Sequence, residues 1–251
     1  MKQVIPKVSN HSTASQNLPL VLIPGMMCDH RLFAPQVQEL SKSRQVFVPR
    51  TDQGETIADI ATYIFTQVPW ATFALGGLSM GGIIAMEMIN QQPDRIVGVA
   101  LMDTNPWAEK AEVKAARQPQ IALAEQCQHL KVIKEQMAPN YGRGTTISEQ
   151  SQLTLVLDMA EQLGAEVFIQ QSMALASRSD QASTLTHFHG PSLVLCGEHD
   201  QLCPLDRHEA MATYLPNNQF HVVPAAGHLI TLQAPSITNQ HLHNWLTLLE
   251  A

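Results

Sequence analysis

Three side chains among the 251 residues have the type and surroundings for nucleophilic chemistry. Ser79 lies in Gly77-Leu78-Ser79-Met80-Gly81, a G-x-S-x-G run between an apolar strand-like stretch and the apolar helical stretch 83–88. A turn this sharp, from strand directly into helix, strains the backbone at the serine and needs small residues on either side so that strand and helix can approach. The turn pushes the hydroxyl into the open and aims a helix N-terminus at whatever binds there. A simple Gly-Ser helix cap does not account for four glycines bracketing one serine. A serine hydroxyl becomes a useful nucleophile when a base takes its proton and a third group orients that base. Of eleven histidines, His228 has the best setting, in the small-residue loop Pro224-Ala225-Ala226-Gly227-His228 after the last strand-like run. His11 is near the N-terminus, His241 and His243 sit on the last helical stretch, and His199 adjoins the acid candidate. That acid is Asp200, at the end of Cys196-Gly197-Glu198-His199-Asp200, with Asp103 its main rival and Glu198 a second. Acyl transfer also needs donors for the developing oxyanion. The Met80 amide, next after the serine, supplies one, and the Met26 amide in Pro24-Gly25-Met26-Met27 is the candidate for the other.

The elements that must position these groups follow from the hydrophobic pattern. Strand-length apolar runs recur at 20–23, 45–48, 72–75, 96–102, 192–196 and 219–223. Helical patterns lie between or after them at 32–43, 56–68, 79–92, 204–215 and 235–249. Such alternation predicts an α/β fold, a doubly wound, mostly parallel sheet covered on both faces. It stops between 106 and 190, where helical segments are interrupted at Gln118-Pro119, 139–144 and Gly164. The expected organisation is a core of residues 18–105 and 191–251, a helical cap (lid) at 106–190 inserted after the strand that follows the serine's helix, and a polar N-terminal extension at 1–17. A cap there would roof the strand ends, where open α/β sheets bind ligands.

Composition narrows the function classes. A net charge of −7 disfavours nucleic acid or an anionic membrane surface as partner. No apolar run has the length of about 20 residues that a membrane span needs. The polar start lacks a signal-peptide core, and four cysteines without metal-type spacing fit free thiols, so a cytoplasmic location is expected. A Cys196–Cys203 disulfide is conceivable but nothing requires it. Residues 106–190 carry seven Lys/Arg against nine Asp/Glu, which predicts no strong positive field over the site. Oligomeric state leaves no signal in the pattern.

With Ser79-Met80, Asp200 in Gly-Glu-His-Asp and His228 in Gly-His-Leu, in that chain order, the sequence resembles the α/β-hydrolase superfamily, in the small capped form of serine esterases and lactonases. The resemblance runs from Leu20 to Leu249. It departs in having Pro24-Gly25 where many relatives have His-Gly, and Pro49-Arg50-Thr51-Asp52-Gln53-Gly54 in place of Asp-x-x-Gly-x-Gly. It implies a cofactor-free, metal-free carboxylic ester hydrolase acting on a small-molecule ester through an acyl-enzyme, with lactone or C–C bond cleavage, or a non-catalytic hydrolase-like binding protein, as alternatives. Met26, Met27, Met80 and Leu229 are expected beside the serine, with Met137, Met159 and Met173 projecting from the cap; flexible methionines suit a small to medium apolar acyl group.

Overall fold

The computed structural model describes residues 17–141 and 147–251, and within these the side chains of 147–149 are left aside. The expected extension at 1–17 therefore falls outside the described residues except for its last position, as does part of the expected break at 139–144. Six strands, all parallel, form one sheet: β1 (Leu20–Ile23), β2 (Val46–Phe47), β3 (Phe73–Leu78), β4 (Ile96–Met102), β5 (Ser192–Gly197) and β6 (Asn218–Val223). Their spatial order is β2-β1-β3-β4-β5-β6. β1, β3 and β5 are buried along their whole length, as strands covered on two faces must be, while the edge strand β6 is half-buried.

Connections decide which face each helix covers. The chain steps outward from β1 to β2 through α1 (Ala34–Leu40), then back across through α2 (Ile57–Gln67) to β3 and onward through α3 (Met80–Gln91) to β4. Because such crossovers are right-handed, the reversal of direction sends α1 to the face opposite α2 and α3. The packing agrees. α2, α3, α7 (Ala182–His187) and α8 (Leu205–Tyr214) form one contacting series, and α1, α9 (Ile230–Gln233) and α10 (Pro235–Leu248) form the other. The reversal also makes the gap between β1 and β3 the topological switch point, where loops leave in opposite directions and open a crevice at the strand ends.

Between β4 and β5 lie α4 (Ala111–Glu125), α5 (His129–Val132) and α6 (Ile147–Ala176), followed by α7, with no strand among the described residues. Gly164 breaks α6 with a non-helical φ of 83° and ψ of 171°. The expected break at Gln118-Pro119 is corrected: Pro119 sits inside α4. Proline frees the carbonyl four residues earlier, and here that belongs to Ala115, an exposed residue, which keeps the cost of a proline inside the helix low. Cys196 and Cys203 are free thiols, so the conceivable disulfide is not formed.

Candidate active site

β3 ends at Leu78 and α3 begins at Met80, leaving Ser79 alone in the turn with φ 57° and ψ −120°. Left-handed φ at a non-glycine residue is strained, and local packing must hold it. A Cβ on Gly81 would lie 2.0 Å from the Ile23 carbonyl oxygen, and one on Gly77 would lie 2.2 Å from the Gly81 oxygen. Both flanking glycines are thus required by close approach, of α3 to β1 and of the strand to its own helix. The Ser79 amide donates to the Met102 carbonyl at 2.9 Å and the Thr104 hydroxyl donates to the Ser79 carbonyl at 2.7 Å, tying the turn to the end of β4.

The loop after β6 brings His228 over this turn. Its Nε2 lies 2.9 Å from Ser79 Oγ and its Nδ1 lies 2.8 Å from Asp200 Oδ2. Asp200 Oδ1 accepts the amides of Leu202 and Cys203 at 2.8 and 2.9 Å, leaving Oδ2 for the imidazole. A carboxylate at Nδ1 selects the tautomer with its proton there, so Nε2 presents a lone pair to the serine hydroxyl. The imidazole is buried, which works against its charged form, but attraction and hydrogen bonding to Asp200 outweigh this and raise its pKa above 6.5. The His228 loop is held from three sides. Its own amide donates to the Tyr141 carbonyl at 2.8 Å, the Tyr141 ring stacks on the imidazole at 5.8 Å, and Gln233 Oε1 accepts the Gly227 and Leu229 amides.

Asp103, the rival acid, lies behind the pair. Its two oxygens accept the Gly197 amide at 2.8 Å and the Ile230 amide at 3.2 Å, joining the loop that leads to Asp200 with the one that follows His228. Complete burial and the neighbouring Asp200 charge push its pKa up to about 8. Glu198 faces outward and accepts the Ala225 amide.

The loop after β1 completes the crevice. A Cβ on Gly25 would lie 3.4 Å from Ser79 Cβ, so the loop runs directly against the serine. Among the described residues the amides of Met26 and Met80 have no hydrogen-bond partner, which leaves them available to a developing oxyanion. The next residue, Met27, adopts φ 55°, and its amide donates to Gln171 Oε1 at 2.8 Å. Gln171, on α6 and fully buried, also donates to the Thr51 carbonyl and hydroxyl at 3.1 and 3.3 Å.

A cavity of about 530 Å³ opens on Ser79 and His228 and is lined by Met26, Met80 and Met137 among the methionines. Met27, Leu229 and Met159 are buried but do not line it; Met159 Sδ instead accepts the Asp29 amide at 3.4 Å. Met173 is corrected from a cavity residue to a surface one, 55% exposed, because it projects from the solvent side of α6. Gln171, Tyr141, Gln233 and Thr104 were not among the expected site residues, and no local motif marks them: Gln171, Tyr141 and Thr104 act through contacts distant in sequence, and Gln233 through a loop whose path its residue types do not reveal. His208 was missed as well. Buried, it accepts the Thr104 amide at Nε2, and burial lowers its pKa to about 4, so it is a neutral brace between α8 and the end of β4. Asp103, Cys196 and His208, and separately Asp200, Cys203 and His228, cluster closely enough to suggest metal ligation. Their carboxylates and the His208 lone pair already accept protein N–H groups, so the clusters are satisfied by the protein itself.

Six parallel strands in this order, with a serine in the strained turn after β3, define an α/β-hydrolase. A family model described as serine aminopeptidase, S33, matches residues 40–234, and the chain belongs to that family. No curated protein matches it. Among solved structures it is similar to a thermophilic esterase from Thermogutta terrifontis in its malate-bound form, at 27% identity and TM-score 0.84, covering 94% of this chain and 92% of that one. It is similar in fold to the enol-lactonase from Burkholderia xenovorans LB400 (20% identity, TM-score 0.81, 94% of each chain). The same holds for an esterase from Exiguobacterium antarcticum (17%, 0.79, 92% of each chain). No helix among the described residues is long and apolar enough to cross a membrane.

Proposed function

We propose that the chain is a serine hydrolase that cleaves a carboxylic ester of a small to medium acyl group through an acyl-enzyme. The observation that carries this reading is His228 bridging Ser79 and Asp200 at 2.9 and 2.8 Å. In the first step His228 Nε2 takes the Ser79 proton as Oγ attacks the ester carbonyl, and the amides of Met26 and Met80 receive the oxyanion. The protonated imidazole, steadied by Asp200, then gives its proton to the departing alcohol. Water enters, loses a proton to His228, and releases the acid. Residues 106–190 act as the cap over the cavity, Met137 contributing to its lining.

An esterase at 27% identity supports ester over amide as the bond broken. Charge around the cavity points the same way. An aminopeptidase must receive its substrate's ammonium with a carboxylate; of the two on the cavity wall among the described residues, Glu109 is already bonded to Arg117 and Arg178, and Asp206 is exposed to solvent in a wall that also carries Lys110 and Arg207. Free thiols and a small-molecule ester substrate fit a cytoplasmic enzyme.

Replacing Ser79 by Ala tests the proposal. The variant should keep the thermal transition of the parent and lose ester hydrolysis and labelling by a serine-reactive phosphonate. Retention of even about a tenth of the activity would reject Ser79 as nucleophile, since triad removal ordinarily costs several orders of magnitude.

A further inference from the structure

The balanced charge of residues 106–190 conceals an asymmetric placement. Of the seven Lys/Arg in that segment, Lys110, Arg117 and Arg178 line the cavity, whereas of its Asp/Glu among the described residues only Glu109 does. α8 adds one of each sign, Arg207 and exposed Asp206. Among the described residues the wall of the cavity thus holds four cations against two anions, in a chain whose net charge is −7.

The arginines are built in place. Glu109, its side chain 1% exposed, takes Arg117 in a two-point bond at 2.6 and 2.7 Å and is bonded also by Arg178 Nη1. Arg178 Nε further donates to the Trp107 carbonyl at 3.0 Å. One carboxylate between two guanidiniums relieves their mutual repulsion and leaves the trio with one positive charge. Among the described residues Arg178 Nη2 and Arg117 Nη1 make no hydrogen bond, and Lys110 has no ion pair. Rigid guanidinium groups with unspent donors are suited to receiving a carboxylate. Meanwhile Met26, Met80, Ile83 and Leu175 keep the cavity around the serine largely apolar.

We propose that the substrate is a monoester of a dicarboxylic acid: its ester carbonyl sits at Ser79, an alkyl spacer crosses the methionine-lined part, and its free carboxylate is received by Arg178, Arg117 and Lys110. This rests on the ester-hydrolase reading of the same cavity and gives it a substrate class.

Monomethyl adipate and its neutral isostere, in which an isopropyl group replaces the carboxylate, separate the possibilities. The wild-type enzyme should hydrolyse the monoester with a kcat/KM at least about tenfold above that of the isostere at low ionic strength, an advantage that narrows in molar salt. In Lys110→Gln and Arg178→Gln the ratio of the two kcat/KM values should fall about fivefold or more, as expected for loss of a charge-assisted contact. Lys110 is exposed, so its replacement tests the charge without disturbing the fold. Calorimetric titration with adipate itself should show binding that weakens in salt and in both variants. Equal or better turnover of the neutral isostere by the wild type, or adipate binding unaffected by salt and by both substitutions, overturns the anion site. If neither ester is cleaved while Ser79 is still labelled by the phosphonate, the dicarboxylic monoester proposal falls and the serine-hydrolase reading stands; if Ser79 is not labelled either, that reading falls, and the adipate titration still decides the anion site on its own.

Discussion

Gln171 is the most informative position to perturb, because one side chain of α6 carries the loop that bears the proposed oxyanion donor. Leucine is close to glutamine in shape, so Gln171→Leu opens no sizeable cavity and removes only the polar contacts. Two backbone groups then lose their partners: the Met27 amide, in a residue 1% exposed, and the Thr51 carbonyl, in a residue 3% exposed. An unpaired buried group costs about 1–3 kcal/mol, so the variant should lose about 2–6 kcal/mol of stability, read as a lower urea midpoint at unchanged m-value. Met27 also holds φ 55°, a conformation its amide bond helps to maintain, so the loop should relax and displace the neighbouring Met26 amide. Misplacement of a catalytic donor by about 1 Å costs on the order of 10²-fold, and the loss should fall on kcat more than on KM. Gln171→Glu sharpens the test. Its carboxylate would face the Thr51 carbonyl, so the folded state favours the protonated acid and its pKa is raised; the variant should therefore be most stable at low pH and lose stability as pH rises. An unchanged urea midpoint in Gln171→Leu, or a drop in stability with no effect on kcat, would refute the coupling between α6 and the oxyanion loop.

The remaining predictions concern the proton relay. Asp200→Asn should lower kcat on the order of 10⁴-fold, because the amide no longer selects the productive imidazole tautomer. Asp103→Asn keeps an acceptor for only one of the Gly197 and Ile230 amides and should cost about 1–3 kcal/mol of stability with a kcat loss far below that of Asp200→Asn. The reverse ranking in kinetics would transfer the acid's role to Asp103. kcat/KM should rise with pH through an apparent pKa above 6.5, since only neutral His228 accepts the serine proton. The stabilising contribution of the His228–Asp200 pair runs the other way: it is fully present below pH 6.5 and is lost as pH rises through the elevated folded-state pKa. An acidic limb at or below 6.5 in steady-state kinetics would contradict the ion pair.

What was legible in the sequence is what the backbone itself dictates. Gly77 and Gly81 announce the turn at Ser79 because a Cβ at either would strike a carbonyl oxygen, and that requirement is written within five residues. The parallel sheet is legible for a related reason: strands buried on both faces must be apolar throughout, and β1, β3 and β5 are. The methionines of residues 106–190 show the opposite case. Residue type marks Met137, Met159 and Met173 equally, but the phase of each helix against the sheet decides that the first lines the cavity, the second is enclosed and the third faces water. Gln171 and Tyr141 are illegible for the same reason, their partners lying 144 and 87 residues away, at Met27 and His228.

Charge shows the consequence most plainly. Seven bases against nine acids averages over a segment, while an electrostatic field acts at a place. Glu109 could have cancelled one arginine on the surface; buried between two, it fixes both at the cavity and leaves a positive charge there. A buried carboxylate held by two guanidiniums is costly to desolvate and gives a poor return in stability compared with apolar packing. Its position on the cavity wall, 1% exposed and shared by α4 and the segment after α6, makes sense as preorganisation of the arginines for an anion. In the proposed reaction the serine turn supplies the nucleophile, and the arginines from the intervening helical segment select which molecule reaches it.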